Sequence, residues 1–238
     1  MILAAGKNVR LDNGIPKSLI TVDGQNMLDR HFKMFPKVGV TKFCIVVGSR
    51  AEMIRDHITE NYKNNDLEIE IVMNHHFEKE NGYSLLAAND FIEKSGEENF
   101  LFTMADHYYD LAFLQKFINQ TKGTKKTLLE LGVDIPSASN KHIDLEDVTK
   151  VSVKNGLIEK IGKEITNYNY YDTGLFYVNK SVIKYLQNSI EIGKSSISNM
   201  VHQLISEKQA GVIDVSGEFW NDIDTPEDLE TTLKIIKK

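Results

Sequence analysis

Short apolar runs and amphipathic segments alternate along the first part of the chain. MILAA (1–5), KFCIVV (42–47), EIEIVM (68–73), NFLFTM (99–104) and KTLLEL (126–131) have the length and the apolar content of strands. Between them, Met27–Phe35, Ala51–Tyr62, Tyr83–Lys94 and Leu111–Thr121 space their apolar residues three and four apart, which gathers them on one helix face. Strands that alternate with helices predict an α/β fold with a doubly wound, mostly parallel sheet. Such sheets bind ligands at the carboxyl ends of their strands, so chemistry is sought just after each apolar run.

The second half has a different pattern. Residues Val133–Asp147 are polar and irregular, and VTKVSVKNGLIEKIGKE (148–164) predicts a hairpin turning at Asn155-Gly156, read as a small added lobe. The core pattern then resumes with the strand DTGLFYVN (172–179), helices over Lys180–Gln187 and Ser195–Gln209, and the strand GVIDV (211–215). A last helix opens at Thr225 as N-cap, with Pro226 in the first turn and Glu227 and Asp228 at the positive helix end. No linker or internal repeat divides the chain.

Composition narrows the function classes. The chain has 238 residues, 41% hydrophobic and 26% charged, which suits one domain. Its net charge of −6 argues against a general nucleic-acid or membrane surface, because both need clustered positive charge. It has no apolar run near the ~18 residues of a membrane span, and its N-terminus does not read as a signal peptide. The expectation is a soluble, cytoplasmic protein. The single cysteine, Cys44, lies inside an apolar run and is read as a small hydrophobe. His75 and His76 have no partners at metal-ligand spacing, and one cysteine cannot build a structural zinc site.

Candidate chemistry falls at the strand ends. After the first strand, AAGKNVRLDNGIPKSL offers Gly6 for close backbone approach and Lys7, Arg10 and Lys17 to surround phosphates. It matches neither the phosphate loop G-x-x-x-x-G-K-[ST] nor the dinucleotide fingerprint, so a plain solvated loop remains open. After the third, Asn81-Gly82 supplies a turn, and Ser84 sits at a helix start that is also explained as a simple cap. After the fourth, Asp106 puts a carboxylate at the edge of the core, which is costly without a cation or donors; the alternative is a cap for the helix near Leu111. Asp222 and Asp224 follow GVIDV in the same manner. Carboxylates at two strand ends suit a hard divalent cation such as magnesium, which leaves room for substrate phosphates.

In this order, ILAAGKNVRL, PKSL, TMADHYYD, YDTGLFYVN and WNDIDTPEDL resemble the nucleotidyltransferase family that makes nucleotide-diphospho-sugars and CDP-alcohols. The resemblance covers nearly the whole chain and implies that family's Rossmann-like fold, doubly wound around a mostly parallel mixed sheet. ENGYSLL (80–86) with Asp106-His107 is most similar to CTP:inositol-1-phosphate cytidylyltransferases, with bacterial phosphocholine cytidylyltransferases close behind. Hexose-1-phosphate nucleotidylyltransferases and non-catalytic regulatory relatives are the alternatives; Lys17, Asp106 and Asp222 favour an enzyme. The family's second loop glycine is Asn8 here, a residue that adopts the left-handed conformation more readily than most. Inositol-specific members are often fused to a membrane-embedded synthase, of which these 238 residues contain no segment.

The resemblance implies CTP and a small alcohol phosphate as substrates, and it is compatible with a homodimer. It implies a nucleotide-binding half over residues 1–131 and an acceptor-binding half with the C-terminal helix over 132–238. Lys17 would stabilise the α-phosphate, Arg10 and Lys7 the β and γ groups, and Asp106 with Asp222 or Asp224 would hold magnesium. The backbone of Leu3, Ala4, Ala5 and Gly6, with Asn81, Gly82 and Ser84, would read cytosine and ribose. Lys163 and Asp172 would meet the acceptor, although a hairpin lysine is ordinarily solvated.

Overall fold

The computed structural model describes residues 1–8, 14–63, 65–123, 127–137 and 140–237. Its strands are β1 (Ile2–Ala4), β2 (Thr21–Val22), β3 (Gln25–Asn26), β4 (Lys42–Val47), β5 (Glu68–Met73), β6 (Asn99–Met104), β7 (His107–Tyr109), β8 (Leu129–Asp134), β9 (Lys150–Lys154), β10 (Leu157–Gly162), β11 (Tyr170–Asn179), β12 (Ala210–Asp214) and β13 (Trp220–Asp222). The helices are α1 (Met27–Met34), α2 (Ala51–Tyr62), α3 (Gly82–Ala87), α4 (Asn89–Ser95), α5 (Leu111–Thr121), α6 (Val182–Glu191), α7 (Ile197–Ser206) and α8 (Pro226–Ile236).

Nine strands form one sheet in the order β5-β4-β1-β6-β11-β8-β12-β10-β9. Successive residues point to opposite faces, so each central strand feeds two cores. Ile2, Ile45 and Val47 pack with Leu28, Phe32, Ile54, Phe113 and Phe117 of α1, α2 and α5. Leu3, Cys44 and Val46 pack with Leu85, Ile92, Leu186, Val201 and Leu204 of α3, α4, α6 and α7. Cys44 is buried as expected, and burial pushes its thiol up to about 12.

The expectation of an α/β fold with a mixed sheet holds, and the pairings show where the mixing falls. β5, β4, β1 and β6 are parallel, but β11 is antiparallel to both β6 and β8, so the sheet is mixed. The hairpin is welded into that sheet: β10 pairs with β12, and β9 pairs with the start of β11, closing the far end. Asn155 and Gly156, both at positive φ, form its turn as the sequence predicts. The boundary at residue 131 falls inside β8, and β11 lies between β6 and β8, so the two halves share one sheet.

Some element bounds shift for physical reasons. Val133 and Asp134 extend β8 instead of opening an irregular loop, because both are buried. The helix expected over Tyr83–Lys94 breaks at Ala88, whose N–H turns back to Leu85 and Leu86; the break lets Leu85 and Ile92 both reach the core. Asp110, and not Asp106, caps α5. The α8 cap is as read, with Thr225 and Asp228 forming a reciprocal capping box.

Candidate active site

The first loop returns to the strand ends through Pro16, which leads into a single 3-10 turn, Lys17–Leu19. That turn aims Lys17 at two carboxylates. Its ammonium donates to Asp106 Oδ2 at 2.9 Å and to Asp224 Oδ1. Burial alone would lower the Lys17 ammonium, but Asp106 and Asp224 outweigh it and hold it well above its ordinary value.

A two-stranded ribbon brings these carboxylates together from distant parts of the chain. β7 and β13 pair with His107 opposite Asp222, and the Ile223 N–H donates to the Asp106 carbonyl at 3.0 Å. Burial would raise the Asp106 carboxyl, but a hydrogen bond from His107 Nδ1 at 2.9 Å and the Lys17 charge hold it well below the usual range. Asp222 is pushed up by burial and by Asp106, Asp224 and Asp228, against the opposing pull of His107. Asp224 is set by the α8 cap, since Asp228 Oδ2 accepts from the N–H groups of Asp224 and Thr225.

A third carboxylate joins the pair. Asp147, Asp222 and Asp224 place carboxylate oxygens within 4.8 Å of one another, whereas Asp106 connects to Asp224 through Lys17. Asp147 lies in the polar stretch before the hairpin, where nothing in the sequence separates it from a solvated loop acid. Lys163, on the far side of that hairpin, donates to Asp147 Oδ1. Asp172 sits where β11 departs from regular pairing, its Oδ1 accepting the Gly174 N–H at 2.7 Å. Burial pushes its carboxyl up to about 6 despite that bond and the nearby His107.

On the other side of Lys17 a cleft opens at the end of β1. Leu3, Ala4, Ala5, Gly6, Lys7, Asn81, Ser84 and Asp106 all line it, together with Ser18, Phe77, Lys79, Met104 and Ala105, which the sequence reading missed. The Lys7 ammonium is paired with Glu78 at 2.8 Å on the exposed rim. Ser84 Oγ accepts from buried Asn74, and Asn81 Oδ1 accepts from the Ile197 N–H. Gly82 does not line the cleft: its N–H donates to Ser195 O at 3.1 Å, and a Cβ there would stand 2.2 Å from that oxygen. Asn8 does not take the left-handed conformation. Among the described residues, positive φ outside glycine is confined to Asp23, Arg50, Asn155 and Lys208. Asn8 is instead buried and donates to the Ile15 carbonyl at 2.9 Å, tying together the two limbs of the first loop. Arg10 lies outside the described residues.

The molecule is thus an α/β protein whose mixed sheet, covered by helices on both faces, carries a cleft at the end of its first strand and, lining it, a lysine held between carboxylates. The chain belongs to the nucleotidyl transferase family, which it matches over residues 1–238. It is 34% identical over 241 residues to the bifunctional IPC transferase and DIPP synthase of Aquifex aeolicus, covering 100% of this chain and 51% of that protein. The protein of the same name from Archaeoglobus fulgidus is 31% identical over 229 residues, covering 96% of this chain and 42% of its own length. The chain thus spans about half the length of these relatives. The solved inositol-1-phosphate CTP transferase from T. maritima superposes with a TM-score of 0.83 at 26% identity, covering 100% of this chain and 95% of that one. Among the described residues no helix is long and apolar enough to cross a membrane.

Proposed function

We propose that the chain transfers CMP from CTP to an alcohol phosphate, inositol 1-phosphate first among them, giving CDP-inositol and pyrophosphate. The observation that carries this reading is the Lys17 ammonium held between Asp106 and Asp224 at the mouth of the cleft formed by Leu3–Lys7. The likeness to the inositol-1-phosphate CTP transferase from T. maritima supports it.

The acceptor needs no general base, because a phosphate monoester loses its second proton near pH ~6. The difficulty lies in bringing two anions together and neutralising the charge that builds between them. An acceptor phosphate oxygen forms a bond to the α-phosphorus as the bond to the β-phosphate oxygen breaks, and that electron pair leaves with pyrophosphate. Lys17 meets charge growing on the α-phosphate, a role its place in the cleft lining supports. Lys7 and Arg10 hold the β and γ groups, Lys7 exchanging Glu78 for phosphate. The Leu3–Gly6 backbone, Asn81 and Ser84 read cytosine and ribose, while Gly82 serves by packing against Ser195. Lys163 takes the acceptor phosphate and Asp172 an acceptor hydroxyl.

Asp106, Asp222 and Asp224, with Asp147 beside them, offer only oxygen donors, and carboxylate repulsion on Asp222 favours a cation there. This donor set fits magnesium, which when bound draws negative charge off the α-phosphate. Both substrates are soluble anions, which suits work in the cytoplasm.

Phosphocholine is a second reading with an observation of its own. A recess beside Lys163's partner is lined by Asp144, Asp147, Asp222, Glu227 and Asp228, a negative wall suited to a cationic head group. A panel of CTP, UTP, ATP and GTP against inositol 1-phosphate, phosphocholine and glucose 1-phosphate, scored by pyrophosphate release, separates the readings. CTP with inositol 1-phosphate should be fastest. A preference for phosphocholine would transfer the assignment to the second reading, and a preference for another nucleotide would overturn the base assignment.

A further inference from the structure

His107 follows Asp106 directly, and no step above uses its side chain. Its Nδ1 lies 2.9 Å from Asp106 Oδ1, while Lys17 Nζ lies 2.9 Å from Oδ2. A carboxylate only accepts, so Nδ1 carries the proton in this pair. Each Asp106 oxygen therefore has its own donor, and the plane of the carboxylate is fixed by two groups from different parts of the chain. A single donor would leave the group free to rotate about its last bond.

The imidazole is itself held on several sides. Its backbone carbonyl accepts from Nε2 of buried His31 at 2.9 Å, and its strand is paired with β13. The ring lies on Gly174, where a Cβ would come within 2.1 Å of Nε2 and 2.2 Å of Cδ2. Gly174 has φ +73, so both its backbone and the close ring contact demand glycine. The irregularity in β11 that seats the ring also presents Asp172, whose Oδ1 takes the Gly174 N–H. Surface histidines are not packed this way. The arrangement is that of a side chain built to hold its neighbour still.

We propose that His107 is a positioning residue that orients the Asp106 carboxylate, seated for that purpose on Gly174 of β11. The proposal rests on the reading of Asp106 as a reaction-centre carboxylate. A donor behind a metal-binding or charge-stabilising group typically contributes about 10- to 100-fold in affinity or rate.

The test uses the full chain, with two readouts: steady-state transfer from CTP, and binding of Mn2+ alone by titration calorimetry. His107→Leu should lower kcat and Mn2+ affinity each by about tenfold or more, with the KM for CTP nearly unchanged. His107→Asn, whose amide nitrogen reaches the place of Nδ1, should recover most of both; His107→Gln, whose amide lies further out, should not. This Asn–Gln pair carries the test if the Leu variant fails to fold. Gly174→Ala should mimic His107→Leu by pushing the ring aside. Wild-type kcat and Mn2+ affinity in folded His107→Leu would overturn the proposal, as would equal behaviour of the Asn and Gln variants. Asp106→Asn keeps the two levels apart. Unchanged Mn2+ binding and turnover there would overturn the reading of Asp106 and the proposal with it, whereas their loss there alone overturns only the role of His107.

Discussion

Two titratable side chains near the site, buried His31 and half-buried Asp172, respond to pH with opposite signs. His31 is held neutral: burial lowers its imidazole to about 4, against 6.5 for an unperturbed histidine. Its contribution to stability is fully present above pH 6.5 and is lost as the pH falls toward 4, because the unfolded chain binds the proton first. The loss should be on the order of 3 kcal/mol. Urea unfolding from pH 7 to 4 should show it, and His31→Gln, which keeps a donor for the His107 carbonyl, should flatten the slope; an unchanged slope would contradict this. Asp172 runs the other way. Its carboxyl is raised to about 6 from 3.8, so its contribution is present below pH 3.8 and lost as the pH rises through 6. In metal-free buffer at pH 8, Asp172→Asn should melt above the wild type, with the gain gone at pH 4, and should raise the KM for the acceptor by about tenfold. A lower melting temperature at pH 8 would contradict the burial argument. Asp106, Asp222 and Asp224 were legible as candidates because a charge that follows an apolar run demands a partner, and Lys17 because it stands in a basic loop after the first strand. Asp147 and the seating of His107 on Gly174 were not, since their significance comes from groups that only folding brings near.

At the scale of elements, local rules predicted most strands and helices, and tertiary contacts explain the exceptions. The α8 cap was readable because all its parts lie within four residues, Thr225 to Asp228. The break at Ala88 was not, because it answers to a core on one sheet face that no local period encodes. Asn81-Gly82 was read as a turn beside a ligand, and the structure gives Gly82 another duty: the Ser195 carbonyl sits where a side chain would begin. Gly82→Ala should therefore cost about 1–3 kcal/mol of stability, the range for an overpacked site. The KM for CTP should change little. A raised KM at unchanged melting temperature would instead put Gly82 at the nucleotide.

Across the whole molecule, one sheet carries both halves of the site, with the cleft at the end of β1 and the carboxylates on the β7–β13 ribbon. The sequence predicted the α/β layering, because alternating apolar runs leave few alternatives. The antiparallel insertion of β11 and the closure of β9 onto it depend on pairings between distant segments and were not foreseen. The consequence is that Lys163 from the hairpin meets Asp147 beside Asp222 and Asp224, drawing the second half toward the centre where Lys17 lies. Lys17 is the group proposed to meet charge formed during transfer. The most direct measurement is the turnover of folded Lys17→Ala with CTP and inositol 1-phosphate, beside CTP affinity by titration calorimetry. Loss of a preorganised charge should lower kcat by about 100-fold or more while CTP affinity moves far less. Wild-type kcat, or a loss confined to CTP affinity, would contradict it.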